Sequence, residues 1–314
     1  MGRAGTAVAI GLLAAALAAA GCGLGAGEEL GEVSLTVTRD YGADPVLEPI
    51  SDEVTESDSV MRVLDRNASI STRFGGGFVQ SIEGLEGGQG PVGPRDWIFY
   101  VNGVESTVGA ADYPLRGGEA IWWDFRSWGA AMRVPAVVGS WPQPFLDGYD
   151  GRRRPVAVEC LGDAEVCATV RGKLDQAGVR QAEGAPEQAI RILVGPWRSL
   201  ATDPVAGRID DGPQASGVFA HFSGSGLDRK TPCALQALDE AGRVARRFGP
   251  DAGLVAATRR YDAPPAWVVT GCRPAGVRAA AERLDAANLR DRYAVAFPGV
   301  LTAPVPLPLP GGGG

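Results

Sequence analysis

Histidine is nearly absent: His221 is the only one in 314 residues, which weighs against histidine-based acid–base chemistry and histidine-rich metal sites. Lysine is almost as scarce, with Lys173 and Lys230 alone, so nearly all of the positive charge is arginine. The formal net charge is -7 and the isoelectric point is near 5.0. A domain built to grip phosphate backbones is usually basic, so no nucleic-acid partner is expected. Catalytic motifs are missing too. Gly75-Gly76-Gly77 lacks the Lys-Ser/Thr partner of a phosphate loop. Ser223-Gly224-Ser225-Gly226 lacks the spacing of a nucleophile elbow. Asp210-Asp211 lacks the acidic ladder of a calcium loop. No catalytic residue and no metal ligand set is assigned, and the chain is read as a non-enzyme. A deep cleft with polar groups converging on His221 would revive catalysis in residues 154–300.

What is present begins with an address. Arg3 supplies a short positive start, residues 7–20 are almost uniformly apolar, and Gly21-Cys22 follows. This is the layout of a secretory signal, and the apolar run is shorter than the ~20 residues of a comfortable span. Leu17-Ala18-Ala19-Ala20-Gly21-Cys22 resembles a lipobox. The resemblance implies cleavage before Cys22, a lipid on its thiol, and a location on the outer face of the cytoplasmic membrane. The alternative is a plain signal peptide with Cys22 incidental. The glycine-rich, acidic residues 23–31 read as a flexible tether.

The length predicts two domains, and a hydrophobic content of 45% is enough for packed cores. Residues 32–128 form the first. Val33, Leu35 and Val37 alternate with polar residues as in a half-buried strand. Ser57 or Asp58 is placed to cap a helix ending at Asn67, with Val60, Val63 and Leu64 as its apolar stripe. Strands are expected over 78–82, 96–101 and 119–125, with residues 84–93 as a loop. Asn102-Gly103 marks a hairpin, because both positions tolerate positive φ. Strand, helix, then strands predicts an α+β, β-grasp-like module. Residues 129–153 read as a linker broken by prolines. Residues 154–300 predict an α+β sandwich with a mixed sheet, ferredoxin-like in arrangement. Its strands are expected near 155–160, 190–194, 217–222, 254–261, 267–270 and 293–297, and its helices over 164–177, 232–248 and 275–286. Residues 301–314, rich in proline and then glycine, read as a disordered tail.

One stretch is distinctive: Asp96-Trp97-Ile98-Phe99-Tyr100-Val101-Asn102-Gly103, then Gly109 to Tyr113, then Gly117-Gly118-Glu119-Ala120-Ile121-Trp122-Trp123. With Gly77 to Gly84 upstream, it resembles the transcobalamin-like C-terminal domain of bacterial surface proteins and lipoproteins. That family is similar to the small β domain that closes over cobalamin in transcobalamin and intrinsic factor. The resemblance covers about a third of the chain. It implies a cell-surface lipoprotein that binds a small molecule, cobalamin or another corrinoid among the candidates, for delivery to a membrane importer. No cofactor beyond such a ligand is expected. The alternative is an envelope protein-interaction or adhesion module without a small-molecule ligand.

Alternation places Trp97, Phe99 and Val101 opposite Ile98 and Tyr100, and Ile121, Trp123 and Phe125 opposite Trp122 and Asp124. One set must be core; the other would stack on a flat ligand. Tyr100, Trp122 and Trp128 are taken as that open face. Asn102 joins them, and Gly76 and Gly77 are offered as backbone that approaches the ligand. The bland alternatives are that most of these aromatics are core and that the glycines form a turn. Cys160, Cys167, Cys233 and Cys272 remain. Their spacing lacks the short C-x₂₋₄-C of a zinc site, so disulfides are favoured outside the cell. Of three connectivities, Cys160–Cys167 with Cys233–Cys272 is preferred, because the first pair spans one strand-to-helix connection.

Overall fold

The computed structural model describes residues 27–224, 232–261 and 263–309. The signal segment and the expected lipid site Cys22 lie outside the described residues. Among the described residues no helix is long and apolar enough to cross a membrane.

The first module contains β1 (Glu29–Arg39), β2 (Asp44–Thr55), α1 (Val60–Asn67), β3 (Ile70–Arg73), β4 (Phe78–Ile82), β5 (Leu85–Glu86), β6 (Gly88–Gly90), β7 (Gly93–Val101), β8 (Val104–Glu105) and β9 (Ala120–Ser127). Its main sheet has the order β2-β1-β9-β7-β6, with β1 and β9 parallel at the centre and their outer neighbours antiparallel. Of the two central strands, β9 is buried on both faces, whereas β1 alternates apolar Val33, Leu35 and Val37 with Ser34, Thr36 and Thr38. Helix α1 starts at Ser59, whose hydroxyl accepts from the Arg62 amide. It buries Val60, Val63 and Leu64 against the sheet. The cap is Ser59 rather than Ser57 or Asp58, because Asp58 bonds back to the Thr55 amide at 2.8 Å.

The remainder contains β10 (Val156–Cys160), α2 (Ala164–Gln176), β11 (Ile190–Pro196), α3 (Trp197–Leu200), α4 (Pro213–Ser216), β12 (Ala220–Ser223), β13 (Ala234–Leu238), β14 (Val244–Arg247), β15 (Gly253–Thr258), β16 (Ala266–Gly271), α5 (Pro274–Glu282), α6 (Ala286–Leu289), β17 (Ala294–Phe297) and β18 (Ala303–Val305). Its large sheet has the order β10-β11-β16-β15-β17-β18. Strands β10, β11 and β16 are parallel, and β15 is antiparallel to β16 and β17. The whole protein is therefore mixed α+β. The sheet is mixed, as expected, but it is not ferredoxin-like. Parallel neighbours require long crossovers; here one runs through α2 and the other through everything between β11 and β16.

Strand residues alternate between two cores. Val255, Ala257, Trp267 and Val269 face α2 and α5. Leu254, Ala256, Ala266 and Val268 face the other way. That second core also contains Trp197, Phe219 and Tyr293, and it takes in Tyr41, Tyr100 and Trp122 from the first module. The two halves thus share one apolar core.

Five segments depart from the sequence expectation. Residues 232–248 form the hairpin β13–β14, not a helix. The Asp239 carboxylate accepts from the amides of Ala241 and Arg243, at 3.0 and 2.9 Å, and Gly242 takes φ +74. This side-chain-stabilised turn, with Leu235 and Ala237 alternating into the core, overrides the helical composition. Within the expected tail, the described residues 301–309 carry structure: Ala303–Val305 adds an edge strand to β17, and Leu307 bridges to Asp239. Residues 129–153 hold no strand or helix yet are no open linker, because Val134, Val137, Val138, Trp141, Phe145 and Tyr149 are buried. The tether expected over 23–31 is strand from Glu29, and the loop expected over 84–93 contains β5 and β6.

Candidate functional site

The six expected ligand residues do not form one surface. Tyr100 is fully buried and Trp122 is 2% exposed. Both pack edge-on to Tyr293, at ring separations of 5.8 and 5.4 Å, and the Trp122 indole N–H donates to the Thr38 hydroxyl at 2.8 Å. The face assigned to a ligand is thus covered by the second half of the chain. Asn102 is likewise committed. Its side-chain amide donates to the Gly148 carbonyl at 2.9 Å, and its side-chain oxygen accepts from the Ala120 amide at 2.8 Å. Trp128 is half-buried beside the sheet. The edge of Trp122 does reach a recess of about 270 Å³ that it shares with Trp141, Thr36, Arg290 and Asp291.

Only Gly77, of those six, lines an apolar groove elsewhere on the module. This groove lies on the opposite side of β9, between α1, β4 and β7, and is walled by Met61, Phe78, Val79, Trp97, Phe99, Ala110 and Trp123, with a volume of about 200 Å³. Phe99 and Trp123 are tilted against each other at 5.0 Å across adjacent strands. At the lip, Phe74 and Phe78 meet edge to face at 6.3 Å, and Phe74 is 86% exposed. The turn that presents Phe74 passes through Gly75 and Gly76 at φ +72 and +95, where a Cβ would be strained but would meet no neighbour.

The polar groups of the groove are few. The Trp97 indole N–H donates to the Leu85 carbonyl at 2.8 Å. The Trp123 indole N–H is buried and has no hydrogen-bond partner. Glu105 stands at the rim and accepts from the Arg133 side chain and the Val134 amide, both at 3.0 Å. Burial pushes its carboxyl up, against the pull of Arg133. Trp97, Phe99 and Trp123 had been placed by alternation on the core face. That face is core, but β4 and the 105–110 turn leave it open at one end.

His221 lies on β12 and meets the Gln236 side chain at 2.9 Å. Its acidic neighbour Asp210 spends one oxygen on the Trp197 indole and the other on the Phe222 amide. His221, Asp210 and Asp211 also line a shallow, open recess of about 480 Å³. Among the described residues no three His, Cys, Asp or Glu side chains gather to hold a metal ion. The cysteines pair as Cys160–Cys167 and Cys233–Cys272, with Cα separations of 5.9 and 5.7 Å.

Fold and groove together define a mixed α+β protein built around a small β module with an aromatic cavity. A family described as a domain of unknown function (DUF4430) matches residues 57–127, which carry most of the groove and the resemblance noted in the sequence. No curated protein matches the chain. Among solved structures, a candidate metal binding protein from Ruminococcus gnavus ATCC 29149 is 13% identical, over 31% of this chain and 97% of that one, with a TM-score of 0.24.

Proposed function

We propose that this is an extracytoplasmic, lipid-anchored binding protein that captures an apolar small molecule in the Trp97–Phe99–Trp123 groove and passes it to a membrane importer. The observation that carries this reading is the open groove walled by Trp97, Phe99 and Trp123. Sites of this kind are mostly apolar with a few placed polar groups. The ligand class follows: a molecule with an apolar edge. The β2-β1-β9-β7 order, with parallel central strands, supports a β-grasp-like module, in keeping with the transcobalamin-like resemblance. A volume of about 200 Å³ is below the ~300–1,000 Å³ of sites that engulf a whole ligand. A corrinoid would therefore insert one edge or side group and rest its bulk on Phe74 and Phe78.

The exposed Phe74 ring favours a second reading, in which the same groove accepts a side chain of an envelope protein. The deciding experiment is tryptophan fluorescence of residues 23–314 titrated with cobalamin and cobinamide, corrected with a free-tryptophan control. Saturable quenching that weakens in Phe78→Ala supports corrinoid capture at the groove. No saturation up to high micromolar ligand removes the corrinoid and moves the weight to a protein partner.

A further inference from the structure

The two disulfides stand in different surroundings. Cys233 and Cys272 are half-buried and pack against the shared core. Cys160 is exposed at the end of β10, whereas Cys167 is buried in the first turn of α2. The Arg171 guanidinium, one turn further along α2, lies 3.5 Å from the Cys160 sulfur and is held there by the Val158 carbonyl at 3.1 Å. Exposed disulfides beside a cation are the ones that exchange with thiols, because attack is made by a thiolate and leaves a thiolate.

We infer that Cys160–Cys167 is a thiol-exchange site whose substrate is an external dithiol, and that Arg171 draws the attacking thiolate to it. In the first step the thiolate attacks the exposed Cys160 sulfur. The Cys160–Cys167 bond breaks, a mixed disulfide forms on Cys160, and the electron pair leaves on Cys167. That leaving thiolate sits in the first turn of a 13-residue helix, where backbone N–H groups and the helix dipole favour negative charge. The Asp163 carboxylate at the same end opposes this, although one of its oxygens is already bound by the Glu165 amide at 2.8 Å. In the second step the other thiolate of the reductant attacks its own sulfur in the mixed disulfide. Cys160 leaves as a thiolate beside Arg171, and the reductant departs as a cyclic disulfide. Two electrons pass from dithiol to protein, and the two dithiol protons end on the two cysteines or in water. Opening this bridge unties the 161–166 connection between β10 and α2 without touching the shared core.

The test is the rate of reduction of the intact, folded protein by dithiothreitol, quenched by alkylation, with each cysteine counted by mass spectrometry. Cys160 and Cys167 are expected to be alkylated at least tenfold faster than Cys233 and Cys272. In Arg171→Gln the first pair is expected to react several-fold more slowly, while the second pair, an internal control for unfolding, keeps its rate. Equal rates for the two bridges, or faster opening of Cys233–Cys272, would overturn the exchange site. An unchanged first rate in Arg171→Gln would overturn the role given to the arginine.

Discussion

The Tyr293 hydroxyl donates to the Asp124 carboxylate at 2.9 Å across 169 residues of chain, and both groups are buried. It is one of four donors on that carboxylate, with the Thr38 hydroxyl and the amides of Tyr41 and Gly42. Burial pushes the Asp124 carboxyl up, and these bonds hold it down. Removing the hydroxyl in Tyr293→Phe leaves part of a buried acceptor unpaired, at a cost of about 1–3 kcal/mol. Because the two halves share a core, urea unfolding of wild type and variant is expected to show one transition, shifted to lower urea in the variant. Two separate transitions would contradict the shared core.

Trp122 and Trp123 are neighbours in sequence with opposite fates. Trp122→Ala empties a packed site between the halves and should cost about 3–5 kcal/mol of stability, leaving the groove intact. Trp123→Phe trims one aromatic wall of the groove. It should weaken ligand binding several-fold, the equivalent of roughly 1 kcal/mol of lost apolar contact. Calorimetric unfolding and fluorescence titration of both variants separate the two effects. A large affinity loss in Trp122→Ala with unchanged stability would return the site to the opposite face.

Asn102 serves the hairpin, not a ligand. It sits at φ +53, is fully buried, and uses both ends of its side chain. Asn102→Ala loses two buried hydrogen bonds and places alanine in the left-handed region. A destabilisation of about 2–5 kcal/mol is expected, read by chemical denaturation. Asn102→Gly relieves the backbone strain and should recover about 1 kcal/mol of it.

Glu119 gives the fold a pH dependence. Burial raises its pKa to about 7, against hydrogen bonds from the Arg116 amide and the Tyr113 hydroxyl and the charge of Arg116, with Asp147 adding to the rise. The folded state therefore binds a proton that the unfolded chain releases near its ordinary pKa of ~4.3. The proton-linked stability is fully present below that value, is lost as pH rises towards 7, and is absent above it. The loss should amount to a few kcal/mol, since each pK unit is ~1.4 kcal/mol. Glu119→Gln should flatten the profile between pH 5 and 8 in denaturation series. An equally steep profile in the variant would assign the dependence to another group.

Much of this was legible in the residues themselves. The alternation of Val33, Leu35 and Val37, the stripe of α1 and the Asn102-Gly103 turn are local devices, set by side-chain period and backbone freedom within a few residues. The same holds for the two faces of β7 and β9: Trp97, Phe99 and Trp123 do fall on one side, Tyr100 and Trp122 on the other. The edge strand β2 carried no such signal, because Asp44, Pro45, Glu48, Pro49 and Glu53 interrupt its pattern on the exposed side. The helix expected over 232–248 failed because propensity is a weak prior beside a carboxylate that ties a turn and a neighbouring strand, β12, that pairs with it.

Sequence alone determined the strand and helix periods, the mixed α+β class and the two-sided aromatic strands, and it favoured one of three cysteine pairings, which the structure then supplied. Tertiary structure decided which aromatic face stays open. Both faces of a central sheet are apolar enough to be buried, and local pattern cannot say what will cover them. Tyr293 and its neighbours, from the far end of the chain, cover the Trp122 face, while β4 and the 105–110 turn leave a gap over Trp123. The position of the groove is thus a property of long-range packing, where contacts distant in sequence outweigh any local preference.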